Sequence, residues 1–187
     1  MMDIRDAFFG ELYKLAVSDP NIVFLTADMD AFLLKKFRET MPERFFNVGV
    51  AEQNAILVAT GLAMAGFKPY VYSIVPFITM RCYEQIKIGI CSHNLPVTLI
   101  GLGSGLSFSY DGFTHHAMQD ISVMRSLPEI NIFNPIDEIS MKNTVNEMYN
   151  LQKPCYGRLD KGVFPNYIPL KEFDGMRVLK NPEKIIL

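Results

Sequence analysis

The chain has 187 residues, of which 49% are hydrophobic and 20% charged, and a formal net charge of −2. That length suits one domain able to bury a substantial core. The composition excludes a disordered polymer and a basic nucleic-acid binder, and the electrostatics name no partner.

In chain order, IRDAFFGELYKLAV (residues 4–17) repeats Ile4, Ala7, Phe8, Leu12 and Leu15 at helical spacing, and SDPN turns the chain. IVFLT (22–26) reads as a buried strand ending near Asp28, followed by a helix over 30–39 with Asp30 as its N-cap. After Pro42, FFNVGV (45–50) is a strand candidate. Residues 51–65 form a helix stopped by Gly66, which suits the left-handed position beyond a helix end. PYVYSI (69–74) predicts a strand, 77–90 a helix and LPVTLIG (95–101) another strand. SGLSFSYDGF (104–113) is a polar, glycine-rich loop, with a helix over 114–126 behind it. INIFNP (130–135) and CYGRL (155–159) complete the strands, separated by a helix over 137–149. Residues 1–162 thus read as one domain. Residues 163–187, with Pro165, Pro169, Gly175 and Pro182, read as a linker or arm whose last residues, KIIL, begin another strand.

Strict alternation of short apolar runs with helical segments predicts an α/β fold, a doubly wound and mainly parallel sheet with helices on both faces. Ligands in such sheets gather at the carboxyl ends of the strands. That rule singles out Asp28, the VGVAE turn ending at Glu52, the loop over 102–115, and Arg158. The best apolar run, SIVPFITM, is interrupted by Pro76 and ends at Arg81, so no membrane span is expected. An acidic start without a basic segment argues against a secretory signal. Cys82, Cys91 and Cys155 lack the spacing of a disulfide framework or zinc site, which suits free thiols in a cytoplasmic protein.

Each candidate has a plain structural explanation beside the functional one. A first-turn glutamate such as Glu52 is favoured by the helix dipole alone, but Val48, Val50 and the apolar helix behind it predict a buried turn, where a carboxyl needs a partner. Asp111, His115 and His116 in DGFTHH could be caps and core hydrogen bonds, yet the loop follows a strand end. GLGSG (101–105) lacks the helix that a dinucleotide fingerprint needs and reads as a flexible loop. Phe77 and Tyr83 suit a core as well as a ligand platform. Arg158 is either an ordinary salt-bridge partner or a bidentate clamp on phosphate or carboxylate.

FNVGVAEQNAILVATGLAMAGFKPY (46–70) resembles the pyrimidine-binding domain of transketolases and of deoxyxylulose-phosphate synthases, and is similar to the beta-type subunits of pyruvate dehydrogenases. The likeness continues in order through RCYEQI from Arg81, LPV from Leu95, DGFTH from Asp111, FNPID from Phe133 and GRLDKG from Gly157. The resemblance implies that Glu52 hydrogen-bonds the aminopyrimidine ring of thiamine diphosphate and so activates the cofactor. It implies that Phe77 and Tyr83 pack on that ring, with Met80 where the family often has a further aromatic, and that Asp28 lies near the cofactor. By the same resemblance Asp111 and His115 hydrogen-bond donor-sugar hydroxyls, with His115 also catalytic, and Arg158 holds the substrate phosphate. DGFTH replaces the more common DGPTH.

The family's diphosphate and metal site, GDG followed some thirty residues later by Asn, is absent from this sequence, which carries no metal ligands of its own by this reading. The resemblance therefore implies half of an active site. A partner subunit would carry the diphosphate-binding domain and ligate Mg²⁺ or Ca²⁺, in a homo- or hetero-oligomer acting on sugar phosphates, and residues 163–187 would lead toward a missing C-terminal domain. The expected activity is transfer of a two-carbon ketol unit. A decarboxylating relative, deoxyxylulose-phosphate synthase-like or 2-oxoacid dehydrogenase beta-like, is one alternative; a non-catalytic interaction module of the same fold is the other.

Overall fold

The apolar runs become six strands, which a computed structural model of the chain, describing residues 2–165, places in a single sheet. The strands are β1 (Ile22–Thr26), β2 (Phe45–Asn47), β3 (Lys68–Ile74), β4 (Thr98–Leu102), β5 (Asn131–Phe133) and β6 (Cys155–Leu159). They lie in the order β2-β1-β3-β4-β6-β5, and every pairing between them is parallel. Helix α1 (Ile4–Ser18) precedes β1, and the crossover connections that parallel strands need are supplied by α2 (Phe32–Thr40), α3 (Glu52–Met64), α4 (Val75–Ile78), α5 (Tyr83–Gln85), α6 (Asp120–Arg125) and α7 (Glu138–Leu151). Both faces of the sheet are covered, which is why its strands carry nearly unbroken apolar runs.

Alternate strand residues sort the core into two layers. Phe24, Tyr72 and Ile100 join Phe8 of α1, Phe37 of α2 and Met141 of α7 on one side. Val23, Leu25, Val71 and Leu99 join Ile56 of α3 and Met124 of α6 on the other. Phe9, Phe24, Phe37, Phe45 and Tyr72 form a connected set of ring contacts in the first layer, with centroids 5.0 to 6.4 Å apart. Gly66 ends α3 with φ +92°, its N–H reaching Ala63 O at 3.0 Å while Phe67 N–H reaches Leu62 O at 3.0 Å.

Four local expectations are corrected. Asp30 is not the cap of α2: Ala31 holds that position in extended geometry, and Asp30 Oδ1 accepts only the adjacent Ala31 N–H at 2.8 Å. The FFNVGV strand stops at Asn47, because Asn47 Oδ1 takes the Gly49 N–H at 3.0 Å and Gly49 turns at φ +70°. No continuous helix runs over 77–90. α4 ends at Ile78, the chain unwinds around Met80 and Arg81, and the wide-turn helix Ile86–Cys91 follows α5. Gly89 of that wide turn sits so close to α3 that an added Cβ would lie 2.8 Å from Thr60 Oγ1. The helix expected over 114–126 shrinks to α6, because Gly105 and Ala117 pair their backbones in an antiparallel bridge that holds Ala117 extended.

GLGSG is also less free than its composition suggests. Gly101 and Leu102 belong to β4, and the Phe108 ring fills the place a Cβ on Gly103 would take. Ser104 and Ser107 both donate to Asp160, at 3.0 and 2.6 Å. Of the arm, only residues 163–165 are described; the KIIL strand lies outside the described residues.

Candidate active site

Glu52 is the first residue of α3, immediately after the Gly49 turn, so its carboxylate faces the carboxyl end of β3 rather than solvent. It is 2% exposed although Val50, expected to help bury the turn, is 75% exposed. Burial comes instead from two residues brought in from other elements. Ser73 Oγ of β3 donates to Glu52 Oε1 at 3.2 Å, and Arg81 Nη1 donates to Glu52 Oε2 at 2.6 Å. The N-terminus of α3 adds its partial positive charge to the same carboxylate.

A buried carboxylate served by a cation, a hydroxyl and a helix end is electrostatically satisfied. Its surroundings are not purely structural. The Arg81 guanidinium carbon stands 4.1 Å from the centre of the Phe77 ring, and the His115 ring meets Phe77 edge-on at 5.0 Å. Phe77, Met80, Arg81, Phe113, Thr114 and Met118 line an open cleft of about 400 Å³ beside this row. Tertiary contact thus gathers Glu52, Phe77 and His115 of the expected set, with Ser73 and Arg81 as members the sequence reading gave no role. Arg81 had a visible signal, a lone cation directly after the apolar run SIVPFITM. Ser73, inside a strand, had none.

The expected residues, Asp111 apart, also have local partners of their own. Asp28 adopts the left-handed conformation, φ 54°, at the end of β1, where its N–H donates to Asn47 Oδ1 at 3.1 Å and its carboxylate accepts from Asn47 Nδ2 at 3.2 Å. Asn47 was missed, though an Asn at a strand end two residues before a Gly is a recognisable turn signal. Tyr83 turns its hydroxyl to Ser126 Oγ, 2.9 Å away. Asp111 is exposed and has no side-chain hydrogen bond among the described residues. His115 Nδ1 shares a hydrogen bond with Thr114 Oγ1 at 3.0 Å.

Among the described residues, Arg158 has three protein partners. Its Nε donates to Asp120 Oδ2 at 2.8 Å, its Nη2 to Ala117 O at 3.3 Å and its Nη1 to Asn134 Oδ1 at 3.5 Å. Tyr156 donates to the same Asp120 oxygen at 2.7 Å. Burial and the neighbouring Asp120 charge push the Tyr156 hydroxyl well above its ordinary pKa. Arg158 therefore ties α6 and the end of the Gly105–Ala117 loop to the sheet.

Cys82, next to Arg81, is pushed up to about 12, first by burial and then by the Glu52 charge, with Arg81 partly opposing. Cys82, Cys91 and Cys155 are all free and buried. Among the described residues no group of three metal-ligating side chains converges, and no helix is long and apolar enough to cross a membrane.

The chain is similar to known proteins in sequence and in fold. The family described as "Transketolase, pyrimidine binding domain" matches residues 1–166. The 6-deoxy-6-sulfo-D-fructose transketolase subunit SqwH of Clostridium sp. (strain MSTE9) is 34% identical over 157 residues, covering 83% of this chain and 49% of the relative. The 1-deoxy-D-xylulose-5-phosphate synthase of Clostridium perfringens (strain SM101 / Type A) is 38% identical over 165 residues, 84% of this chain and 26% of the relative. A solved structure described as "Split gene transketolase, inactive beta4 tetramer" superposes with a TM-score of 0.81 at 31% identity, over 96% of this chain and 59% of the other. The chain thus spans about half the length of the first relative and about a quarter of the second.

Proposed function

This chain belongs to the transketolase pyrimidine-binding domain family, and from that premise we propose that it is the pyrimidine-binding subunit of a thiamine-diphosphate-dependent transketolase. In this reading it moves a two-carbon ketol unit between sugar phosphates together with a partner chain that carries the diphosphate-binding domain and ligates Mg²⁺ or Ca²⁺. The observation that carries it is that Arg81 links the buried Glu52 carboxylate to the face of the Phe77 ring, which lines the cleft. A carboxylate for a ring nitrogen and an aromatic face for a ring plane are the donor set that an aminopyrimidine fits.

Glu52 and Phe77 would hold the pyrimidine, and thiamine diphosphate, when bound, supplies the electron sink that carries the two-carbon unit. Glu52 would accept a proton from, or share one with, a nitrogen of the pyrimidine, while Ser73 holds Oε1 in place. His115, with Nδ1 engaged by Thr114, presents Nε2 to a sugar hydroxyl, and Asp111 on the same loop offers a carboxylate for another. Tyr83, whose hydroxyl meets Ser126 Oγ, and Asp28, at the end of β1, would complete the residues around the cofactor. Arg158 reaches a phosphate only with what its Asp120 pair leaves free. Assembly into an oligomer with the partner, in the cytoplasm, completes the proposal.

Mixing the chain with its partner, thiamine diphosphate and Mg²⁺ tests the reading. Ketol transfer between a ketose phosphate and an aldose phosphate is expected, with Glu52→Ala abolishing it; full activity in that variant would remove Glu52 from the chemistry. Likeness to a deoxyxylulose-phosphate synthase supports a second reading, in which the same mixture releases carbon dioxide from pyruvate.

A further inference from the structure

The two handles that the proposed function needs, the Glu52 carboxylate and the Phe77 face, are both held by one side chain. Arg81 Nη1 donates to Glu52 Oε2 at 2.6 Å, and the Arg81 guanidinium lies 4.1 Å over Phe77. A guanidinium is a planar, delocalised group with N–H donors along its edge and a face that stacks on aromatic rings. An aminopyrimidine protonated at a ring nitrogen offers the same edge and the same face. We infer that Arg81 is a built-in mimic of the cofactor's pyrimidine: it occupies the seat on Glu52 and Phe77 and must swing out before the ring can enter. This rests on the proposed function and adds a competitor for its site from within the chain.

The surroundings suit a side chain that leaves while everything around it stays. Glu52 is fixed by burial and by Ser73, which retains Oε1 when Oε2 is released. The Arg81 backbone is anchored by Gln53 Nε2, which donates to Arg81 O at 3.0 Å. Its side chain, by contrast, is 42% exposed and lines the open cleft, so rotation about side-chain bonds alone clears the seat. The unwound stretch between α4 and α5 is what aims Arg81 inward, since a continuous helix over 77–90 would fix its direction by helical geometry.

Two consequences follow from the charge balance. A buried carboxylate stripped of its cation is costly, so Arg81 leaves only for a ligand that brings its own donor to Oε2. Apolar or purely anionic molecules entering the cleft do not displace it. Arg81 therefore makes the seat selective for planar, donor-bearing nitrogen heterocycles and weakens their binding by the strength of the contacts it gives up.

The test uses the full chain and 4-amino-5-hydroxymethyl-2-methylpyrimidine, the pyrimidine fragment without a diphosphate, so that the partner subunit is not required. Titration calorimetry is expected to show Arg81→Ala binding this probe roughly tenfold more tightly than the unaltered chain, the size of one partly exposed charge-assisted contact with its stacking. Arg81→Gln, which keeps a donor for Glu52, is expected to shift in the same direction and covers the case of an Arg81→Ala chain that does not fold. In the unaltered chain the guanidinium ¹⁵N–¹H signals of Arg81 are expected to move on adding the probe, a response that a fixed structural ion pair would not give. Adding Glu52→Gln to Arg81→Ala is expected to erase the gain. Equal or weaker binding by both Arg81 variants, with binding still dependent on Glu52, overturns the mimic and leaves the proposed function standing. Absence of binding by every variant overturns both.

Discussion

Arg158 and Asp120 form a 2.8 Å ion pair between β6 and the first turn of α6, in which Asp120 is 1% exposed and also receives the Tyr156 hydroxyl. Removing one member of such a pair leaves an uncompensated buried charge, which costs about 3 to 5 kcal/mol. Arg158→Ala, which leaves the buried Asp120 without its cation, is therefore expected to lower unfolding free energy by about that amount in urea titrations. Asp120→Ala, which leaves only the partly exposed Arg158 unpaired, is expected to cost less. A loss below about 1 kcal/mol for Arg158→Ala would show that the pair is not holding α6 to the sheet.

Asp19 and Lys68 give stability a defined response to acid. Burial alone would raise the Asp19 carboxyl, but hydrogen bonds from Lys68 Nζ at 2.8 Å, the Asn21 N–H at 2.9 Å and the Tyr149 hydroxyl at 3.0 Å outweigh it and hold it below its ordinary value. A lowered folded-state pKa contributes stability that is complete above the unfolded value and disappears as pH falls through the folded one. Asp19→Asn is expected to cost roughly 1 to 2 kcal/mol at pH 7, with the difference from the unaltered chain narrowing below about pH 4. A pH-independent difference between the two denaturation curves would contradict this account.

The three thiols are expected to be nearly inert in the folded chain. Burial lifts Cys82 and Cys155 to about 12 and Cys91 to about 11, so the reactive thiolate is scarce at pH 8. Reaction with a disulfide reagent should report far less than one thiol per chain within minutes, and three after addition of guanidinium chloride. Prompt native labelling of a whole thiol would contradict the burial.

Gly101 couples the sheet to the candidate site. A Cβ there would stand 2.9 Å from Val75 Cγ2 and 3.1 Å from the Tyr156 ring, and Val75 opens α4, which carries Phe77. Gly101→Ala is expected to destabilise by about 1 to 3 kcal/mol through overpacking. Binding of the pyrimidine fragment should weaken as well. A variant with unchanged melting temperature would mean that α4 yields freely.

Much of the fold was legible because burial on both faces leaves a strong trace. IVFLT, PYVYSI and CYGRL read as strands from their apolar runs alone, and Gly66 announced the end of α3. Local competition defeated the rest. Residues 77–90 keep an apolar pattern that looks helical, yet the chain opens at Met80 and Arg81 and widens at Ile86–Cys91 to sit on Thr60. Asp30 looks like a cap, but a backbone one residue out of register gives that place to Ala31.

Local pattern and family likeness in the sequence determined the alternating α/β architecture, the position of Glu52 at a helix start and the resemblance around VGVAEQ and DGFTH. Only the tertiary structure decided what that carboxylate touches. Ser73 and Arg81 lie 21 and 29 residues from Glu52, and their approach depends on β3 packing beside α3 and on a break in a helix that periodicity alone would continue. Likewise only the tertiary structure brought Arg158 to the buried Asp120, because a charge taken out of water needs an opposite charge within reach.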